Sequence, residues 1–142
     1  MSDLFAFGCS TERDWALATT EVAAALSGRP ATLGFLYMTD VHTANAGAIR
    51  ERLAAETGIE HWVGCVAPGI AAGADEVFAR PAIAAMTADL PAGAFQVFDG
   101  TPRQGADWFG IVHADPSDPD LPESLTRLED TTGAFLIGGL TA

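Results

Sequence analysis

Apolar residues alternate between two spacings along the first half of the chain, and this alternation predicts an α/β fold. Short apolar runs at Leu4–Phe7, Leu33–Met38 and His61–Val66 are typical of strands, and the second run is typical of a central strand covered on both faces. Between them, apolar residues recur at helical spacing, which predicts a helix at Glu12–Leu26 and a second helix ended by Gly58. This order favours parallel strands joined by right-handed crossovers.

Polar residues at the helix ends agree with this assignment. Thr11 and Asp14 fit the T-x-x-D capping pattern at the start of the first helix. Asn45 or Thr43 is suited to cap the second helix, whose buried stripe is Ala46, Ile49 and Leu53. In that helix Arg52 faces Glu56 one turn later, so we expect an ion pair.

The second half of the chain first breaks this pattern and then returns to it. Three apolar segments lie too close together for crossover helices and predict antiparallel hairpins; they are Glu76–Ala79, Ala82–Leu90 and Ala94–Phe98. A strand at Trp108–His113, a helix ended by Gly133 and a last strand at Ala134–Ile137 follow. We therefore predict an α/β fold with a mixed sheet: a parallel βαβαβ first part, antiparallel hairpins after it, and helices packed on the sheet. The sequence shows no internal repeat.

Composition indicates a single domain of residues 1–142. Such a length buries roughly two-thirds of the surface of the unfolded chain, so no disulfide or metal is required. Cys9 and Cys65 lie in apolar stretches and are typical of reduced thiols. No apolar run approaches the ~18 residues of a membrane span. We expect a cytoplasmic domain that is part of a longer chain or pairs with a second half.

The formal net charge of −12 narrows the classes of partner. Seven arginines, no lysine and nineteen acidic residues give a surface that repels phosphate backbones and anionic lipid. We therefore expect neither a nucleic acid nor a membrane partner. The absence of lysine also excludes Schiff-base chemistry and a P-loop lysine.

Two loops carry the candidate ligand-binding residues. The strand that begins at His61 ends in a Gly/Pro loop, where the main chain is open to a small molecule. Asp40 and His42 follow the central strand closely enough to converge on one ligand, although helix capping is the alternative role of this segment. The candidates are Thr39, Asp40, His42, Asn45, Gly64, Cys65, Val66, Pro68 and Gly69.

Cys65 also supports a competing hypothesis, a thiol-dependent hydrolase or transferase. His42 or His113 would then act as the base, but a nucleophilic thiol needs a lowered pKa, and no helix begins directly after Cys65. A packed thiol or a ligand contact is the more ordinary role of such a cysteine. We predict no catalytic residues on this reasoning.

Motifs for metals and cofactors are missing. Gly64, Gly69 and Gly73 do not have the G-x-G-x-x-G spacing, and no C-x-x-C or H-E-x-x-H pattern occurs. His61 and Cys65 stand about 13 Å apart on a strand, too far to chelate one metal ion. We expect no cofactor and no metal.

Three groups of segments together resemble the amino-terminal half of FIST-domain proteins, a family named from F-box and intracellular signal-transduction proteins. They are Gly34–Val41, Trp62–Gly69 with Ile83–Pro91, and Ile111–Pro116 with Phe135–Ala142. The resemblance implies a non-catalytic sensory domain for signal transduction that binds a small ligand such as an amino acid. It implies as protein partner a carboxyl-terminal half or a signalling module. An interaction half-domain and an oligomer remain alternatives.

Overall fold

A computed structural model describes residues 4–98 and 109–141. The chain divides into two compact units, Met1–Phe95 and Gln96–Ala142. The first unit contains strands β1 to β6 and helices α1 and α2. In chain order these are β1 (Phe5–Ser10), α1 (Trp15–Leu26), β2 (Leu33–Thr39), α2 (Ala46–Thr57), β3 (His61–Ala67), β4 (Gly69–Ala72), β5 (Asp75–Phe78) and β6 (Ile83–Ala88). A short 3₁₀ helix, Asp40–Asn45, precedes α2.

The main sheet has the strand order β1-β6-β2-β3 and is mixed. β2 and β3 pair in parallel with Leu36 opposite Gly64, while β6 is antiparallel to both β1 and β2. β1 therefore runs in the same direction as β2 and β3 but does not pair with either, because β6 lies between β1 and β2. The predicted α/β fold with a mixed sheet is confirmed.

Both helices of this unit pack on one face of the sheet. Val22 and Leu26 of α1 meet Ile49 and Leu53 of α2 over sheet residues that include Met38. The antiparallel β4–β5 hairpin forms a separate two-stranded sheet, and its Val77 packs with Ala84 on the opposite face of β6. Alternate residues of β6 thus contribute to two cores, as the period of a strand requires.

Local chemistry explains where the helices begin and end. The carboxylate of Asp14 accepts hydrogen bonds from the backbone N–H groups of Ala16 and Leu17 (2.8 and 3.0 Å), so α1 begins at Trp15. The predicted start at Glu12 was therefore three residues early, because Asp14 is the N-cap and not a residue of the first turn. Gly58 ends α2 in a left-handed conformation (φ 73°), as predicted.

Two predictions in the middle of the chain need correction. Ala94–Phe98 is not a strand, since it makes no ladder with any described strand. The stretch from Gly69 to Ala72, predicted to be loop, is strand β4, paired with β5. The predicted strands at 76–79 and 82–90 exist as β5 and β6 with slightly different limits.

The second unit has one strand, one helix and one strand, namely β7 (Phe109–Ala114), α3 (Leu121–Thr132) and β8 (Phe135–Leu140). β7 and β8 are parallel, with Val112 opposite Gly138. Trp108, the first residue of the predicted strand, lies outside the described residues. Gly133 ends α3 as predicted (φ 68°), and Leu121, Leu125 and Leu128 are half-buried.

Candidate functional site

A pocket of about 260 Å³ lies at the edge of the main sheet, between β3 and the first turns of α2. It is smaller than the roughly 300–1,000 Å³ of sites for drug-sized ligands, and its size suits a small metabolite. Ten residues line it: Leu36 and Met38 of β2, Ala46, Gly47 and Arg50 of α2, and Trp62, Val63, Gly64, Cys65 and Val66 of β3.

The pocket arises where β3 lacks a side chain. Trp62 and Val66 both pack against the helix-side core, and Gly64 lies between them on the same face of the strand. Gly64 has φ +148°, and a Cβ atom there would overlap the carbonyl oxygen of Leu36. Only glycine tolerates this close approach, so the gap between Trp62 and Val66 is built into the backbone.

Trp62 forms one wall of the pocket and is fixed from two sides. Its indole Nε1 donates a hydrogen bond to the carbonyl oxygen of Ile59 (2.9 Å). Its ring lies against Gly34 of the neighbouring strand, where a Cβ atom would overlap the ring. Trp62 is therefore a rigid apolar surface with its polar atom already satisfied.

Of the described residues that line the pocket, Arg50 is the single charged one. Its side chain is 52% exposed and makes an ion pair with Glu51 at 3.8 Å. An exposed pair of this length contributes little, so the guanidinium group is available to another anion. The pocket thus offers an apolar floor with one cation beside it.

The structure distributes the residues predicted from the Gly/Pro loop over two places. Gly64, Cys65 and Val66 line the pocket. Pro68 is exposed after the end of β3, and Gly69 is the first residue of β4. The pocket therefore takes its residues from the strand and not from the turn that follows.

The residues predicted after β2 do not line this pocket. Thr39 is buried, and its hydroxyl accepts a hydrogen bond from the backbone N–H of Ala82 (2.9 Å), which ties the end of β2 to the start of β6. Asp40 is exposed. Asn45 directly precedes α2, but its side chain makes no capping hydrogen bond.

His42 is the buried titratable group of this segment. It is only 1% exposed, and its Nε2 atom has no hydrogen-bond partner among the residues that the structure describes. Burial lowers the pKa of His42, and an interaction with the backbone carbonyl of Glu12 partly opposes this shift. The imidazole is therefore held in its neutral form.

The surroundings of Cys65 favour a protonated thiol. Burial raises the pKa of Cys65. Tyr37 lies opposite on β2, and its pKa is raised by burial and, to a smaller extent, by the charge of Cys65. His42 makes no described hydrogen bond to Cys65, and His113 lies on β7 in the second unit, where burial lowers its pKa. A nucleophile needs the opposite shift, so burial does not favour a reactive thiol at Cys65.

Sequence reasoning missed seven of the ten residues that line the pocket. The residues not predicted to contact a ligand are Leu36 and Met38 of β2, Ala46, Gly47 and Arg50 of α2, and Trp62 and Val63 of β3. Their signal was present only indirectly, in the glycines at 34 and 64 that let β2 and β3 approach closely. Spacing alone does not show which helix covers that gap.

Within residues 4–98 and 109–141, no three side chains of His, Cys, Asp or Glu lie close enough together to hold a metal ion. No helix in this part of the chain is both long and apolar enough to cross a membrane.

Comparison with protein families gives a match over most of the chain. The family model of the FIST N domain matches residues 32–142, a range that begins just before β2 and includes all ten pocket residues. No curated protein matches the chain.

Proposed function

The chain belongs to the FIST family, and from that premise we propose that it is a sensory domain for signal transduction that binds a small polar metabolite of amino acid type in the pocket between β3 and α2. The observation that carries the proposal is the gap over Gly64, an apolar pocket with one arginine beside it. An amino acid has the matching parts, a short apolar body and a carboxylate.

Signalling requires that the ligand distinguish two states of the domain. The pocket joins the edge strand β3 to the start of α2, and among the described residues β3 pairs only with β2. A ligand that closes the pocket draws α2 toward β3 and favours one arrangement of this edge. We propose that a carboxyl-terminal half or a separate signalling protein receives this change.

The competing enzyme hypothesis has less support. FIST is a family of sensory domains, and burial raises the pKa of Cys65 instead of lowering it. Substitution of Cys65 by alanine separates the two hypotheses, because it removes a thiol-dependent activity but only tunes the affinity of a binding site.

A thermal-shift screen with single amino acids and small carboxylates tests the proposal. A ligand at a hundred times its Kd stabilises the folded state by about 2.7 kcal/mol and raises Tm by several degrees. Gly47→Phe is the variant designed to block the pocket, because Gly47 lines it and a Cβ atom there meets no other atom within 4 Å. Ala48→Phe, at the next and exposed position of α2, is the matched control.

We expect at least one compound to raise the Tm of the wild type, Cys65→Ala and Ala48→Phe proteins but not that of Gly47→Phe. A shift that survives in Gly47→Phe would place the site elsewhere. The absence of any shift in the wild type would remove the basis for ligand binding in this chain.

A further inference from the structure

The two parallel strand–helix–strand segments, β2–α2–β3 and β7–α3–β8, have the same construction. Each helix has twelve residues, each strand pair is parallel, and each helix ends at a glycine in the left-handed conformation with ψ 8°. Strand–helix–strand units are common, so this likeness alone decides nothing. The likeness extends to the hydrogen bonds at the helix ends and to the glycine contacts between the strands.

The carboxyl ends of the two helices carry the same hydrogen bonds. Thr57 donates its hydroxyl to the carbonyl of Leu53 (2.7 Å) and accepts the N–H of Ile59 (3.3 Å). In α3, Thr132 donates to Leu128 (2.8 Å) and accepts the N–H of Ala134 (3.1 Å). In both helices the threonine is followed by the terminal glycine.

The strand pairs approach each other through glycines at equivalent positions. Gly34 lies beneath Trp62 as Gly110 lies beneath Leu136, and in both cases a Cβ atom would overlap the side chain above. At the next crossing, a Cβ atom at Gly64 would overlap the carbonyl of Leu36, and one at Gly138 would overlap the carbonyl of Val112.

The two segments align with a one-residue difference in each connection. Six residue pairs are identical: Gly34 and Gly110, Arg52 and Arg127, Leu53 and Leu128, Thr57 and Thr132, Gly58 and Gly133, Gly64 and Gly138. Five of these pairs make the contacts just described. They are the two glycine pairs between the strands, the threonine and glycine pairs that end the helices, and the leucine pair whose carbonyls accept from those threonines. The two segments therefore repeat one construction, and we call β2–α2–β3 the first copy and β7–α3–β8 the second copy. The sequence pattern alone did not indicate this likeness, because two shifts in register separate the matching residues.

Gly64 of the pocket is shared by both copies, but three other pocket positions differ between them. In the alignment Arg50 corresponds to Leu125, Trp62 to Leu136 and Cys65 to Gly139. The shared residues build the scaffold, and these three differences give the first copy its charged and aromatic lining. We propose that Arg50 determines the specificity of the pocket, selecting ligands with a carboxylate on a short apolar body; this inference rests on the proposed function.

The other arginine of α2 is already engaged, which strengthens this assignment. Arg52 donates to the carbonyl of Ala16, to the hydroxyl of Thr20 and to Glu56 (2.9, 2.6 and 2.7 Å). Among the described residues, Arg50 makes only its long contact with exposed Glu51. In a chain of net charge −12, an anionic ligand needs such a local cation.

The test compares butyrate with butyramide, two probes of nearly equal shape that differ in charge. Binding is followed by NMR titration of the backbone amides of Gly47 and Gly64 in the intact chain. The variant is Arg50→Leu, which carries the residue of the second copy at an exposed site. Arg127→Leu removes the same charge from the second copy and is the control.

We expect the wild type and Arg127→Leu proteins to bind butyrate roughly tenfold more tightly than butyramide, and Arg50→Leu to lose this preference. Equal binding of both probes by the wild type, unchanged in Arg50→Leu, overturns the specificity role while the pocket stands. If neither probe perturbs Gly47 or Gly64 while another compound in the thermal screen binds in the pocket, the carboxylate assignment fails alone. If no compound binds there at all, the proposed function fails as well.

Discussion

The two copies of the strand–helix–strand segment share their local chemistry but differ in burial. In the first copy, Ile49 and Leu53 of α2 are fully buried. In the second, Leu128, the equivalent of Leu53, is only half-buried, and Phe109 and Phe135 are 53% and 70% exposed. Nearly the same helix ends and glycine contacts thus occur in a well-packed copy and in a thinly packed one.

Neighbouring elements account for this difference. In the first unit β6 pairs with β2, and α1 packs against α2. Within the second unit the described elements are β7, α3 and β8 alone. Local residues therefore set the geometry of each copy, whereas the elements added around it set the burial of its core. Changes to shared residues should then have different costs in the two copies.

The largest expected effect is that of a methyl group at the strand crossing. Gly64→Ala forces a Cβ atom into the carbonyl of Leu36 at a φ that other residues avoid, in a strand held by the main core. We expect the free energy of unfolding to fall by at least about 3 kcal/mol, measured by urea unfolding. Gly138→Ala makes the same contact with Val112, but exposed β8 can shift, so we expect a smaller loss of about 1–3 kcal/mol.

Gly47→Ala is the control for both substitutions. An added Cβ atom at Gly47 meets nothing within 4 Å, and alanine favours the helix, so stability should rise by up to about 1 kcal/mol. Equal losses in Gly64→Ala and Gly138→Ala would contradict the argument that burial separates the copies.

A smaller effect is expected at the shared arginine. Arg52→Ala removes the hydrogen bonds that join α2 to Ala16 and Thr20 of α1, and we expect a loss of about 2 kcal/mol. Arg127→Ala changes the equivalent but exposed residue of α3, and its effect should stay within about 0.5 kcal/mol. Urea midpoints of the two variants measure this directly, and equal changes in both would contradict a stabilising role of the hydrogen bonds from Arg52 to α1.

Much of the fold was open to prediction because its signals are local. The glycine ends of α2 and α3 and the Arg52–Glu56 pair follow from residues a few positions apart. The place of β6 between β1 and β2 does not, since apolar spacing identifies a strand but not its partner. Ala94–Phe98 shows the same limit, because an apolar segment without a partner strand is not a strand.

The candidate site was predictable only along β3. Gly64 and Cys65 follow from the apolar strand and its glycine, and they do line the pocket. Arg50 reaches the pocket because α2 crosses β3 over the missing side chain of Gly64. That contact depends on how a helix packs across a sheet, which the spacing of residues within one element does not contain.

The smallest expected effect concerns pH and again compares the two copies. Burial lowers the pKa of His42, in the loop of the first copy, and of His113, on β7 of the second. A histidine with a lowered folded-state pKa binds protons more readily when unfolded, so its stabilisation is complete above the unfolded value of about 6.5 and is lost as the pH falls below it. Urea midpoints measured from pH 7.5 to pH 5 should therefore decrease.

The decrease should be smaller in His42→Gln and in His113→Gln, whatever each substitution costs at pH 7.5. His42 is buried with an Nε2 atom that has no partner, so it should contribute more of the slope than half-buried His113. An unchanged slope in His42→Gln would mean that its proton is taken up without loss of the fold, and that the first copy is not the more tightly closed of the two.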